Sequence, residues 1–186
     1  MADLFTQVSV QLGLTEEDIH RGTLTTGAST GPMYLSTKPQ FPTAVTPKIV
    51  SIQTVQELQT LVGNIKEAGV LQDVPEPWPD EKWDADAKQL NESDNRKVYA
   101  ALRAILAGKD TEMTSYTSIV NKRYFPIKAG VFACEDIVVT PDQPLIIEPH
   151  GHDPVVLTCN SITLEPGGQI ICQAPVILSV NTFTKK

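Results

Sequence analysis

A loose internal repeat between about Ile127 and Phe183 constrains the fold of this chain more than any other feature of its sequence. Residues 145–151 read LIIEPHG and residues 162–168 read ITLEPGG, so an apolar run is twice followed by Glu-Pro and a glycine. A second match aligns residues 154–157 with residues 175–178, each a proline followed by three apolar residues. A fainter copy lies upstream, where residues 127–130 are followed by the apolar run at residues 136–140. Offsets of about 17 to 21 residues are typical of stacked supersecondary units.

Each copy predicts a short β-strand that ends at a corner, because branched residues favour strands while Pro and Gly supply turns. Such units predict a small C-terminal β-solenoid of about three coils. Glu148 and Glu165 would then occupy equivalent corners, and Gly151 and Gly168 would supply residues with positive φ. A β-sandwich or jelly roll is the alternative, since its short strands and regular turns give a similar sequence.

The first 110 residues predict helices instead. Apolar residues recur at helical spacing in about four segments, some of which follow capping residues: residues 3–12, 54–69, 80–90 and 94–108. Residues 111–120 alternate loosely and predict a strand. The predicted fold class is therefore α+β, with a helical part over residues 1–110 followed by a β-rich repeat part over residues 111–186.

Residues 21–47 interrupt the helical part with a composition rich in Thr, Ser, Gly and Pro. The apolar residues of this segment follow neither helical nor strand spacing, so the segment is predicted to be a long irregular arm. Irregular stretches of this length are uncommon inside compact domains and are usually functional or disordered. The arm could therefore reach another chain, and a simple connector is the open alternative.

The composition is that of a soluble globular protein, with 41% hydrophobic and 20% charged residues. A net charge of -7 argues against nucleic acid or an anionic membrane as a partner, because both require a basic surface. No apolar run approaches the ~20 residues that span a bilayer. The N-terminal residues lack the features of a secretory signal, which predicts a cytoplasmic protein and leaves export without a signal open. Three cysteines without metal-type spacing predict reduced thiols.

Two features could bind a ligand. The densest polar cluster comprises Glu148, His150, His152 and Asp153, whose side chains are of the kinds that ligate metals. A solvated turn explains this cluster more simply, because a glycine separates the histidines, so neither a metal nor another cofactor is predicted. Trp78 lies between prolines, where its ring could form a platform for a ligand such as a glycan or could plug the edge of a core.

No catalytic residue is predicted. The sequence has neither a Gly-x-Ser-x-Gly nucleophile motif nor a phosphate-binding glycine loop that contains lysine. Four carboxylates of the repeat region could supply the acid pair of a hydrolase or lyase: Asp136, Asp142, Glu148 and Glu165. Turn geometry and solubility explain them equally well, so an enzyme is the least favoured of three functions.

The final part of the repeat is uncharged between Pro166 and Thr184. Exposed strands normally carry charges that prevent edge-to-edge pairing, so this segment should be covered by the helical part or by another copy of the chain. We therefore expect a non-enzymatic structural protein that self-associates as a homo-oligomer through this β region and the arm. A binding module or secreted effector that recognises a glycan or a cell-surface partner is the alternative.

Overall fold

A computed structural model describes residues 2–28, 30–63, 74–149, 151 and 153–186. The helices of the described chain are α1 (Leu4–Gln11), α2 (Val55–Val62), α3 (Glu92–Leu106) and α4 (Thr117–Tyr124). Its strands are β1 (Ile19–Thr25), β2 (Met33–Leu35), β3 (Lys48–Ile52), β4 (Ile127–Val139), β5 (Leu145–Ile147), β6 (Val155–Leu164), β7 (Ile170–Cys172) and β8 (Val176–Lys185). Short 3₁₀ helices form at Glu16–Asp18, Asp80–Lys82 and Thr114–Tyr116.

The strands form two parallel sheets. β1, β4, β6 and β8 lie side by side in a five-stranded sheet, and its fifth strand, β3, also pairs with β4. β2, β5 and β7 form a separate three-stranded sheet. The chain alternates between the sheets: after β4 it enters the small sheet as β5, and it then returns to the large sheet as β6. The register is regular: Leu157 of β6 pairs with Phe132 of β4 on one side and with Leu178 of β8 on the other.

The chain is α+β, but the predicted arrangement of a helical part followed by a small β-solenoid is wrong. The first 50 residues supply β1, β2 and most of β3, so a helical N-terminal part is not followed by a separate C-terminal β-solenoid. The β-sandwich or jelly roll is wrong as well, because those folds are built from antiparallel sheets. The described chain is α+β, with four helices and eight strands in two parallel sheets.

The predicted irregular arm, residues 21–47, contains most of β1 and all of β2. Its many Gly and Pro residues have little strand preference of their own. Main-chain pairing with distant strands supplies the order instead: Leu24 pairs with Ile137, and Tyr34 pairs with Ile146. Local composition therefore gave the wrong description of this segment.

The repeat was aligned correctly in one part and incorrectly in another. Val155 pairs with Val176 at the offset of the Pro154 and Pro175 match. Ile162, which was matched to Leu145, instead pairs with Ile137 in the large sheet, whereas Leu145 belongs to the small sheet. Glu148 and Glu165 therefore do not occupy equivalent corners. Their shared Glu-Pro sequence reflects two strands that each end at a proline turn.

The chain packs as two compact units, residues 1–50 with 128–186 and residues 51–127. In the first unit, both sheets contribute side chains to one core. Its largest fully buried members are Leu35, Phe132, Ile137, Leu145, Ile147, Leu157 and Ile162. Burial of each such side chain contributes roughly 1.5–3 kcal/mol, so this core is the main source of stability for the sheets.

The second unit is helical. Asn91 caps α3 by accepting a hydrogen bond from the Asp94 N–H at 2.8 Å, and Thr54 caps α2 in the same way from the Glu57 N–H. The expected continuation of α2 to residue 69 lies outside the described residues. The core of this unit is formed by Val55, Trp78, Val98, Ile105, Tyr116, Ile119 and their neighbours.

Two predicted elements of this unit differ from the structure. Residues 80–90 hold only the short 3₁₀ helix at Asp80–Lys82, and residues 111–120 form a 3₁₀ turn and the start of α4 rather than a strand. Tyr116 explains the second difference, since its ring is fully buried and its hydroxyl donates to the Glu76 carbonyl at 2.5 Å. Residue 110, the predicted boundary between the helical part and the β-rich part, lies inside this unit.

Candidate functional site

The last strand of each sheet comes from the C-terminal part of the chain. β8 pairs only with β6, and β7 pairs only with β5, among the residues that the structure describes. We call β7 and β8 together the end layer. Each has one edge of main-chain N–H and C=O groups without a strand partner in the described chain, and such an edge is a template for pairing with another strand.

Apolar side chains of the end layer remain exposed where their counterparts one strand inward are buried. Leu178 and Phe183 are 47% and 49% exposed, whereas Leu157 and Ile162, with which they pair in register, are fully buried. Residues paired in parallel strands project to the same face of the sheet. Leu178 and Phe183 therefore continue the column of core residues, and no described strand covers them.

Ile171 and Cys172 of β7 are also exposed, in the small sheet. Cys172 pairs with the buried Ile147 and is itself exposed, and Ile171 is 38% exposed. No residue between Pro166 and Thr184 is charged, so the exposed side chains here are apolar or neutral. Exposed apolar side chains beside an unpaired, uncharged strand edge are a feature of strands that pair with another chain.

The opposite edge of the large sheet, formed by β1 and β3, carries charges that are paired with one another. Arg21 of β1 donates to the Glu135 carboxylate at 2.6 Å and also contacts Glu16. Lys48 of β3 donates to Asp18 at 2.7 Å. The Lys48 hydrogen bond is the main reason that the pKa of Asp18 is lowered to about 2, and the Arg21 hydrogen bond likewise lowers the pKa of Glu135.

A ladder of polar side chains fixes α1 to the outer face of β6 and β8. The Phe5 N–H donates to Asn181 Oδ1 at 2.9 Å, and the Asn181 amide donates to Asn160 Oδ1 at 3.1 Å. Asn160 in turn donates to Asp136 at 3.3 Å. Sequence reasoning missed this ladder, although the spacing of Asn160 and Asn181 equals that of the Pro154 and Pro175 match.

α1 packs on one face of β6 and β8, and the outer edge of β8 has no strand partner in the described chain. Ser9 of α1, Thr158 of β6 and Ser179 of β8 are buried. The hydroxyls of Ser9 and Thr158 have no hydrogen-bond partner in the described chain. A buried hydroxyl without a partner costs roughly 1–3 kcal/mol, so this contact is less stable than its burial suggests.

Trp78, a candidate ligand platform, lies inside the core of the helical unit. It is 4% exposed, its indole N–H donates to the Lys82 carbonyl at 3.1 Å, and its ring centroid lies 5.5 Å from that of Tyr116. An exposed ring face is what glycan stacking requires. The geometry of Trp78 therefore fits the alternative that it plugs a core.

The polar cluster around residue 150 is only partly within the described chain. Glu148 is buried, and its carboxylate accepts from Lys38 Nζ at 3.4 Å. Asp153 accepts from the Lys128 N–H at 2.9 Å. His150 and His152 lie outside the described residues. Each of the two described carboxylates thus has a partner from the protein itself.

The other carboxylates considered for catalysis have different local environments. Asp136 accepts from Ser161 Oγ at 2.5 Å and from Asn160 as part of the ladder under α1. Asp142 is exposed, and Glu165 lies beyond the end of β6. No group of three or more His, Cys, Asp or Glu side chains suited to a metal is found among the described residues.

Comparison of the chain with protein families, with curated proteins and with solved structures gave no match. None of the helices within the described residues is both long enough and apolar enough to cross a bilayer. The end layer is therefore the surface on which a functional argument can be built from this molecule's own geometry.

Proposed function

We propose that this protein is a structural protein that self-associates through its end layer, with a second copy of the chain as the partner. The supporting observation is the half-exposed Leu178 and Phe183 beside the open edge of β8, in a segment without charge. Pairing with a further strand would satisfy the edge and remove both side chains from water. The proposal rests on the end layer alone, because the predicted arm contributes residues 21–25 and 33–35 to the chain's own sheets.

Charge argues for a second copy of this surface as the partner. The chain carries a net charge of -7, yet the end layer holds no charged residue before Lys185. Two such layers can therefore approach without placing like charges opposite each other, which would otherwise oppose self-association. A charged partner would gain no complementary contact here.

Strand direction argues for a closed dimer. When one edge meets its own copy about a two-fold axis, the two β8 strands run antiparallel, which is a well-bonded arrangement. The alternative is for β8 to meet the β1/β3 edge of the next copy, which would generate an open filament. That contact would remove the water around the Arg21 and Lys48 ion pairs, which is costly for charged groups.

The mass of the native particle tests the proposal. Light scattering over a range of concentrations should approach twice the chain mass of 20.3 kDa and then stop rising. Leu178→Lys with Phe183→Lys should leave a monomer, because each dimer would bury four lysines. Val10→Lys is the matched control, since Val10 is an exposed apolar residue of α1 outside the end layer, and it should remain dimeric.

A wild-type chain that stays monomeric at every concentration contradicts self-association. Dimers that survive both lysine substitutions would show that another surface is used. A mass that rises without a limit would retain self-association but overturn the two-fold arrangement, because only the head-to-tail contact propagates.

A further inference from the structure

Two buried thiols face each other inside the large sheet. Cys134 of β4 and Cys159 of β6 pair in register on neighbouring parallel strands. Both are free and fully buried, and their sulfur atoms are 3.1 Å apart. Sequence reasoning considered each cysteine separately and found no pair, because 25 residues separate them.

The strand geometry is compatible with a disulfide bond. Neighbouring strands are about 4.8 Å apart, which lies within the roughly 4.4–6.8 Å between the Cα atoms of disulfide-bonded cysteines. The sulfur atoms need to approach by about 1 Å to reach the bond length of about 2.05 Å. Rotation of the two side chains can provide this movement without changing the register of β4 and β6.

We infer that Cys134 and Cys159 form an oxidation site, at which a low-molecular-weight disulfide such as oxidised glutathione closes a bond between β4 and β6. One protein thiolate attacks a sulfur of oxidised glutathione, forms a mixed disulfide and releases one glutathione thiolate. The second protein thiolate attacks the protein sulfur of the mixed disulfide and releases the other glutathione. The two protein thiols are oxidised, and one oxidised glutathione is reduced to two thiols.

The folded sheet protects this site. The hydrogen bond shared with Cys134, together with burial, raises the pKa of the Cys159 thiol above its usual range, so the reactive thiolate is scarce. Glutathione also has no access to a residue that is fully buried. The first exchange should therefore take place while β4 and β6 are apart, during folding or transient opening of the sheet, and the second as the two strands come together.

Refolding in a glutathione buffer tests the inference. A Cys172→Ser chain removes the exposed third thiol and leaves the pair intact. After refolding in oxidised glutathione, two titratable thiols should be lost and the mass should fall by two hydrogen atoms. Cleavage after Glu135, which lies between the two cysteines in sequence, should give fragments that separate only after reduction.

The same chain, folded first and then exposed to oxidised glutathione, should react far more slowly. The oxidised protein should unfold at a higher urea concentration than the reduced one, because the bond restrains the unfolded chain. Cys134→Val in the Cys172→Ser background is the control and should show no such rise. Two free thiols, or a stable glutathione adduct, after refolding in oxidised glutathione would overturn the inference.

Discussion

The two edges of the large sheet are built from similar parallel strands and meet solvent in opposite ways. At the β1/β3 edge, Arg21 and Lys48 are held in ion pairs. At the β8 edge, Leu178 and Phe183 are about half exposed and no charged residue precedes Lys185. Charges on an edge strand discourage pairing with another chain, whereas an uncharged edge permits it. The difference indicates that the β1/β3 edge is protected against pairing with another chain, whereas the β8 edge is open to it.

The largest effect on stability is expected when a buried core residue of β6 is substituted, and the half-exposed residue that pairs with it in β8 provides the comparison. Leu157→Ala should lower the free energy of unfolding by about 2–5 kcal/mol, because it leaves a cavity among fully buried neighbours. Leu178→Ala should cost less than about 1 kcal/mol in dilute solution, since that side chain is already half in water.

Protein concentration turns this pair of variants into a test of the interface. If the end layer is buried between two copies, the cost of Leu178→Ala should grow as concentration rises, whereas that of Leu157→Ala should not. Urea unfolding at a low and a high protein concentration measures both. Equal costs for Leu178→Ala at the two concentrations would mean that Leu178 stays in water.

The sequence indicated the uncharged segment but could not indicate its exposure. The absence of charge from residue 167 to residue 184 is visible in the sequence. Whether Phe183 is covered depends on the strand order, which places β8 at the end of the sheet. Strand order is set by non-local pairing, and periodicity along the chain does not report it.

Prediction succeeded where the signal is local and failed where it is not. α3 was expected from the spacing of Val98, Leu102 and Ile105 with a polar cap before them, and the helix forms over that segment. The pairing of His20 with Cys134 has no local signal, so β1 was missed and the predicted order of a helical part followed by a β part was wrong. The thiol pair was missed for the same reason.

A smaller effect is expected at Thr158, in the strand directly beneath the end layer. Its hydroxyl is buried without a hydrogen-bond partner in the described chain. Thr158→Val keeps the shape and removes the unpaired group, so the free energy of unfolding should rise by about 1 kcal/mol. Thr163→Val, on the same strand but only partly buried, should change it little. Loss of stability at Thr158 would show that its hydroxyl is hydrogen-bonded in solution.

The smallest effect is expected at the charged edge, where stability should depend on pH through Asp18. Hydrogen bonds from Lys48 and from the Thr15 N–H hold the pKa of Asp18 at about 2, below its usual value of 3.8. The unfolded chain therefore binds the proton more readily between these values. The contribution of Asp18 is complete above pH 4 and disappears as the pH falls to 2.

Lys48→Met isolates this contribution. The side chains of Lys48 and Asp18 are partly exposed, so solvent screening should limit the loss at pH 5 to less than about 1 kcal/mol, and the loss should shrink further towards pH 2. Urea unfolding of both chains at the two pH values measures the difference. Leu178→Ala should show no such pH dependence, because the end layer has no acidic group to titrate. A loss for Lys48→Met that is the same at both pH values would mean that Lys48 acts through its contact with the Gly13 carbonyl instead.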